Sequence, residues 1–188
     1  MKEEKYKSVL NYNWSYVISN FWKRYPNNPF SKHVLSEDII STKIDSDGRL
    51  HTRRILSKTN KLPTPIQSIL RIKNTGFVIE DVVVDKNSKA LTSTTYNIDC
   101  TKLMTVKEII KYTPLENAKT NELSKKIKNT VEKTQTLLNY TVQFDCPFYF
   151  TSSYIIMLAK KRYKNNMEKA INGWNHILAR NKQKKMLK

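Results

Sequence analysis

Residues 33–59 read HVLSEDIISTKIDSDGRLHTRRILSKT, and this stretch decides the fold. Two runs rich in β-branched residues, His33 to Asp45 and Leu50 to Thr59, flank Asp45-Ser46-Asp47-Gly48. The Asp-Gly pair favours a tight turn because glycine accepts a positive φ without a steric penalty. The pattern predicts an antiparallel hairpin. Further strands follow at Phe77 to Asp85, Ala90 to Cys100, Met104 to Tyr112 and Leu137 to Phe144, with short polar turns such as Asp85-Lys86-Asn87-Ser88. Short turns between successive strands imply an antiparallel meander.

Upstream of the hairpin, Tyr6 to Tyr12 reads as a first strand. Asn13 caps a helix carrying Val17, Ile18, Phe21 and Trp22, which Pro26 stops. Downstream, Leu115 to Lys133 is polar and reads as a long exposed loop. Pro147 opens the longest helix, where Tyr163, Met167, Ile171, Trp174 and Leu178 recur at helical spacing and form a stripe that must lie on the sheet. The expected fold class is α+β, a curved antiparallel sheet of about seven strands with a long C-terminal helix across it and a brief amphipathic helix inside a loop. A single domain is expected over residues 1–180, followed by a basic tail at 181–188.

The chain has 188 residues, and 34 Lys+Arg against 16 Asp+Glu give a net charge of +18. Between Lys160 and Lys188 lie ten basic residues and one acid, Glu168. Such a surface attracts anionic membranes or nucleic acids, and charge alone does not choose between them. Cys100 and Cys146 read as buried free thiols, too few for a disulfide framework or a metal site. No apolar run is long enough to span a membrane, and the N-terminal residues lack a signal-peptide core.

Catalytic motifs are missing from the sequence. His33, His51 and His176 are scattered, and three glycines cannot build a phosphate-cradling loop or a nucleophile elbow. No metal or organic cofactor is expected. Glu37 and Asp38, or Glu80 and Asp81, are adjacent in predicted strands, so their side chains diverge; they read as sheet-surface charges. On the third strand Leu50, Thr52, Arg54, Leu56 and Lys58 share one face, either as a water-facing row or as an apolar pocket wall carrying cations for a phosphate. Arg162, Asn166 and Lys169 form one polar line on the long helix, which by pattern alone faces solvent. Leu62 to Ile72 is a brief amphipathic segment. Ile66, Ile69 and Leu70 sit among Lys61, Arg71 and Lys73, which suits a membrane interface or packing on the core equally.

Four stretches carry a resemblance. Phe21-Trp22-Lys23-Arg24-Tyr25-Pro26-Asn27, Ser31-Lys32-His33-Val34-Leu35-Ser36-Glu37-Asp38, Thr52-Arg53-Arg54-Ile55-Leu56-Ser57-Lys58 and later Glu80-Asp81 with Val84-Asp85 resemble the PRELI-like (UPS-type) mitochondrial lipid transfer proteins. The resemblance implies a START-like cup with a mobile lid between the third and fourth strands. It implies transfer of phosphatidic acid, or in another branch phosphatidylserine, across the mitochondrial intermembrane space. It also implies a heterodimer with a small helical-hairpin protein bearing twin cysteine motifs. Carried over by motif, Arg24 and His33 lie near the headgroup end, Arg54 and Lys58 line the pocket, and Lys61 opens a lid spanning Leu62 to Arg71. Leu62, Ile66, Ile69 and Leu70 would then insert into the membrane, and Asn166 and Lys169 would stand at the cavity mouth. On this reading Arg54→Glu abolishes transfer and leaves the fold largely intact. The rivals from other classes are a basic nucleic-acid-binding module and a small hydrolase in a similar cup.

Overall fold

Burial alternates residue by residue along most strands of the sheet, the period expected of strands with one face on a core. The computed structural model describes residues 1–59, 75–115, 135–147 and 152–186. Among these, seven strands form one antiparallel sheet: β1 (Lys2–Leu10), β2 (Val34–Ile44), β3 (Leu50–Thr59), β4 (Thr75–Asp85), β5 (Ala90–Asn97), β6 (Thr105–Leu115) and β7 (Gln135–Asp145). The order β1-β7-β6-β5-β4-β3-β2 is a meander whose first strand returns to pair with the last. The fold class is therefore α+β, as the patterning predicts.

The hairpin that anchors the reading is present. Asp45 Oδ1 accepts from the Asp47 and Arg49 amides at 3.0 and 2.9 Å, and Gly48 adopts φ 76°. Register shifts at Val34/Ser36 and Ile39/Ser41 mark irregularities in β2 at the sheet edge.

Helix α1 (Trp14–Ser19) starts at Asn13, whose side chain accepts from the Tyr16 amide at 2.8 Å. The helix is shorter than its apolar spacing suggests. Phe21 and Trp22 lie instead in a separate 3-10 turn, Phe21–Lys23. A second 3-10 turn, Pro29–Ser31, is capped by Asn28. The long helix α2 (Ser152–Met186) begins five residues after Pro147 and carries helical structure into the segment expected as a basic tail. The loop expected from Leu115 is also trimmed, because Leu115 still belongs to β6; its remainder lies outside the described residues, as does the lid segment.

The apolar stripe of α2 packs as expected, with Trp174 and Leu178 buried, and Ile177 joins them. Phe21, Tyr112 and Trp174 form an aromatic triangle with ring centroids 5.7, 6.0 and 6.1 Å apart, joining the first 3-10 turn, the sheet and α2. Trp14 Nε1 donates to the Tyr112 carbonyl at 3.2 Å, and the Tyr16 hydroxyl donates to the Leu178 carbonyl at 2.9 Å. A smaller cluster of Val142, Phe144 and Ile156 holds the N-terminal part of α2 to the other end of the sheet. The space between these two clusters is not filled. Cys100 and Cys146 are only half-buried, which corrects the expectation of buried thiols.

Candidate functional site: a cavity with a basic mouth

One inward-facing rung crosses five strands. Arg54 on β3 pairs across to Glu80 on β4, Glu80 to Thr95 on β5, Thr95 to Glu108 on β6, and Glu108 to Val142 on β7. It places two carboxylates inside the cup.

Glu80 is 1% exposed, so the expectation that it is a sheet-surface charge is wrong. Its carboxylate receives Arg24 Nη2, Arg54 Nη2, Arg54 Nε at 2.9 Å and the Ser93 hydroxyl at 3.2 Å. Burial alone would push this carboxyl up; Arg24 and Arg54 overcome that and hold it below the usual carboxylate range. Arg54 Nη1 also donates to Glu37 at 2.6 Å. Arg24 Nη1 donates to the Phe21 carbonyl at 3.0 Å, and the guanidinium lies 3.8 Å from the Phe21 ring centroid. The cluster is close to neutral, two arginines against two glutamates. The divergence rule did hold for Asp81, which faces outward and takes a forked contact from Arg53.

A first cavity, of about 290 Å³, lies between the sheet and α2, with Lys58, Glu80, Glu108, Tyr163 and Trp174 among its walls. Most of the surface of its walls is apolar, as expected from the third strand, with the carboxylates Glu80 and Glu108 set among them. Glu108 accepts from the Tyr163 hydroxyl at 2.6 Å, tying α2 to the sheet. Burial pushes the Glu108 carboxyl above the usual range, with Tyr163 and Lys58 pulling against it. Burial, reinforced by Glu108, pushes the Tyr163 hydroxyl up as well.

Two further chambers adjoin this cavity, and all three share Thr59, Arg162 and Asn166 as walls. One, of about 300 Å³, is largely apolar, lined by Phe77, Val78, Leu103, Met104, Val106 and Phe144 among others. The other, of about 550 Å³, is basic: Lys32, His33, Lys161, Arg162 and Lys169 line it, and no acid is among its described lining residues. Desolvation first, then the charges of Lys58, Lys169 and Arg162, lower the His33 imidazole below its ordinary value. Desolvation likewise lowers Arg162. Lys32, Lys161, Arg162 and Lys169 thus share this chamber with an imidazole that the same surroundings keep from taking up a proton.

The sequence-derived residues therefore divide. Arg24, His33, Lys58 and Asn166 line the first cavity, and Lys169 joins His33 and Asn166 in the basic chamber. Arg54 faces inward, yet it is not among the lining residues of these three chambers. It borders a separate crevice with Trp22, Glu37 and Ile39, its guanidinium engaged by the two glutamates. Lys61 and the lid residues Leu62, Ile66, Ile69 and Leu70 lie outside the described residues. Arg162, Asn166 and Lys169 are all exposed, as the pattern alone suggests, and they also border the cavity and its basic chamber. Sequence reasoning missed Glu80 and Glu108. Period two would have found them, since Glu80 shares a face with Val78, Val82 and Val84, and Glu108 with Val106, Ile110 and Tyr112.

The sequence profile of the PRELI-like family matches residues 15–185. The chain belongs to the PRELI-like family. This PRELI-like chain is 31% identical over 176 residues to PRELI domain-containing protein 1, mitochondrial, of Bos taurus, covering 93% of this chain and 74% of the relative. It is 42% identical over 96 residues to Protein UPS1, mitochondrial, of Saccharomyces cerevisiae, covering 51% of this chain and 54% of the relative. In fold the PRELI-like domain is similar to the crystal structure of TTHA0849 from Thermus thermophilus, with a TM-score of 0.56 at 10% identity, over 95% of this chain and 97% of that one.

Proposed function

We propose that this PRELI-like chain removes a single anionic phospholipid from one membrane and delivers it chemically unchanged to another. The observation that carries the reading is the gathering of Lys32, Lys161, Arg162 and Lys169 in a chamber with no acid among its described lining residues, with Lys58 on the walls of both adjoining cavities, one of them largely apolar. A phospholipid has the matching division, a phosphate for the basic mouth and acyl chains for the apolar space. A buried phosphate is costly unless cations and hydrogen-bond donors receive it, and those groups are gathered here.

Phosphatidic acid is the first choice of cargo. Its headgroup concentrates negative charge and carries no ammonium, so an acid-free mouth suits it better than phosphatidylserine. The names of the curated relatives include the word mitochondrial, which supports a mitochondrial site of action. The family resemblance extends that proposal to the intermembrane space, to a lid at Leu62 to Arg71 and to a small twin-cysteine partner.

Transfer of fluorescent phosphatidic acid between vesicles tests the reading. Lys58→Glu and Arg162→Glu should each lower the transfer rate at least ~10-fold while circular dichroism stays that of the wild type. Wild-type rates in the Lys58→Glu/Arg162→Glu double variant would overturn it. Comparison with phosphatidylserine as cargo tests the ranking of the two lipids.

A further inference from the structure

The first turns of α2 leave large apolar side chains in water. Tyr154 is 62% exposed, Met157 56% and Leu158 38%. Scattered apolar residues on a surface need no explanation, but these three recur at i, i+3 and i+4 and make one stripe. Ile156 points the other way, 5% exposed against Val142 and Phe144, so this part of the helix is anchored while its tips stay bare. The same stripe continues into Lys161 and Arg162. Leu158, Lys161 and Arg162 all line the basic chamber, so the apolar tips border the mouth of the cavity.

This order matches the layers of an anionic bilayer surface. Four residues of helix rise about 6 Å, which separates Met157 from Lys161 by about the depth to which interfacial apolar faces sink below the phosphates. A tyrosine suits the boundary because its ring is apolar and its hydroxyl remains wet. Another exposed apolar patch, Ile39, Ile40 and Ile44 on the edge strand β2, contributes no residue to the lining of the basic chamber.

We propose that the Tyr154–Leu158 turn is a membrane-insertion element, which sinks into an anionic bilayer and brings the basic mouth against the headgroups. The proposal rests on the lipid-transfer reading and adds a docking surface to it. Lys161 and Arg162 meet lipid phosphates as the tips enter the acyl layer, and a phosphatidylcholine bilayer, in which an ammonium balances each phosphate, attracts them far less.

Two measurements on the full chain test it. In the first, Met157→Trp is mixed with vesicles of phosphatidylcholine and phosphatidic acid bearing brominated acyl chains. Quenching beyond that of the wild type, with none on phosphatidylcholine alone, is expected; no added quenching on the anionic vesicles overturns the proposal. In the second, the Tyr154→Ser/Met157→Ser variant, which changes no residue lining the chambers, should lose vesicle binding at least ~10-fold and still bind soluble dioctanoyl phosphatidic acid as the wild type does. Undiminished vesicle binding by that variant overturns the docking surface and leaves the cargo reading standing. If the wild type ignores the soluble lipid but the double variant still loses vesicle binding, the cargo reading falls and the insertion element stands. If the two serines abolish capture of an acidic soluble protein and leave vesicle binding intact, the stripe is a protein interface and the proposal fails.

Discussion

Glu80 and Glu108 sit on one rung of the sheet, yet their surroundings drive them in opposite directions. Glu80 is held ionised by two arginines, so Glu80→Gln should cost about 3–5 kcal/mol at neutral pH, read by chemical denaturation. Its folded carboxyl lies below the unfolded one, so this contribution is present above the ordinary glutamate range and fades as pH falls through the folded value. Glu108 reverses the sign. Its folded carboxyl lies above the unfolded one, so as pH rises past about 4.3 the unfolded chain releases its proton first and the wild type loses stability. Glu108→Gln should therefore gain on the wild type as pH rises through that window, and denaturation midpoints between pH 4 and 7 measure it. The same geometry revises what Arg54 does. Arg54→Glu would bring a third carboxylate against Glu80 and Glu37, so it should prevent folding instead of selectively blocking transfer. Lys58→Glu, at the half-buried end of β3, is the change expected to spare the fold.

Among the elements, α2 depends on how closely it approaches the second 3-10 turn. A β-carbon on Gly173 would lie 2.9 Å from Asn28 Nδ2 and 3.3 Å from the Phe30 β-carbon. Asn28 cannot easily retreat: it is buried, and its Nδ2 donates to the Arg24 carbonyl at 2.7 Å and the Gly173 carbonyl at 3.3 Å. Gly-to-Ala normally stabilises a helix interior by roughly 0.5–1 kcal/mol. Here Gly173→Ala should lower the melting temperature, because the displaced asparagine also positions the segment carrying Arg24. At the other end of the same unit, Asn13→Ala should cost about 1 kcal/mol through loss of the α1 cap.

For the whole molecule, +18 of net charge sets the first encounter with a membrane. Binding to anionic vesicles should weaken steeply from low to physiological salt, while binding of soluble dioctanoyl phosphatidic acid in the partly enclosed chambers should fall less, since desolvated contacts are screened less. Titration in both formats at two ionic strengths checks the difference.

How much of this was legible in sequence follows from the range of each interaction. The hairpin, the meander and the α2 stripe are local periodicities, and so were readable from residues two to four apart. The RYPN, HVLS and RRIL stretches pointed to the family because they occur as contiguous strings. Tertiary structure alone decided that Arg54 belongs to Glu80 and Glu37, that Glu108 meets Tyr163, and that Arg162 borders the basic mouth. Those partners lie 26, 17 and 55 residues apart in the bonded pairs, and no local pattern reports which inward-facing charge finds which. Strand periodicity says that a side chain faces inward; only closure of the sheet under α2 says whether it meets a counter-charge or an open cavity.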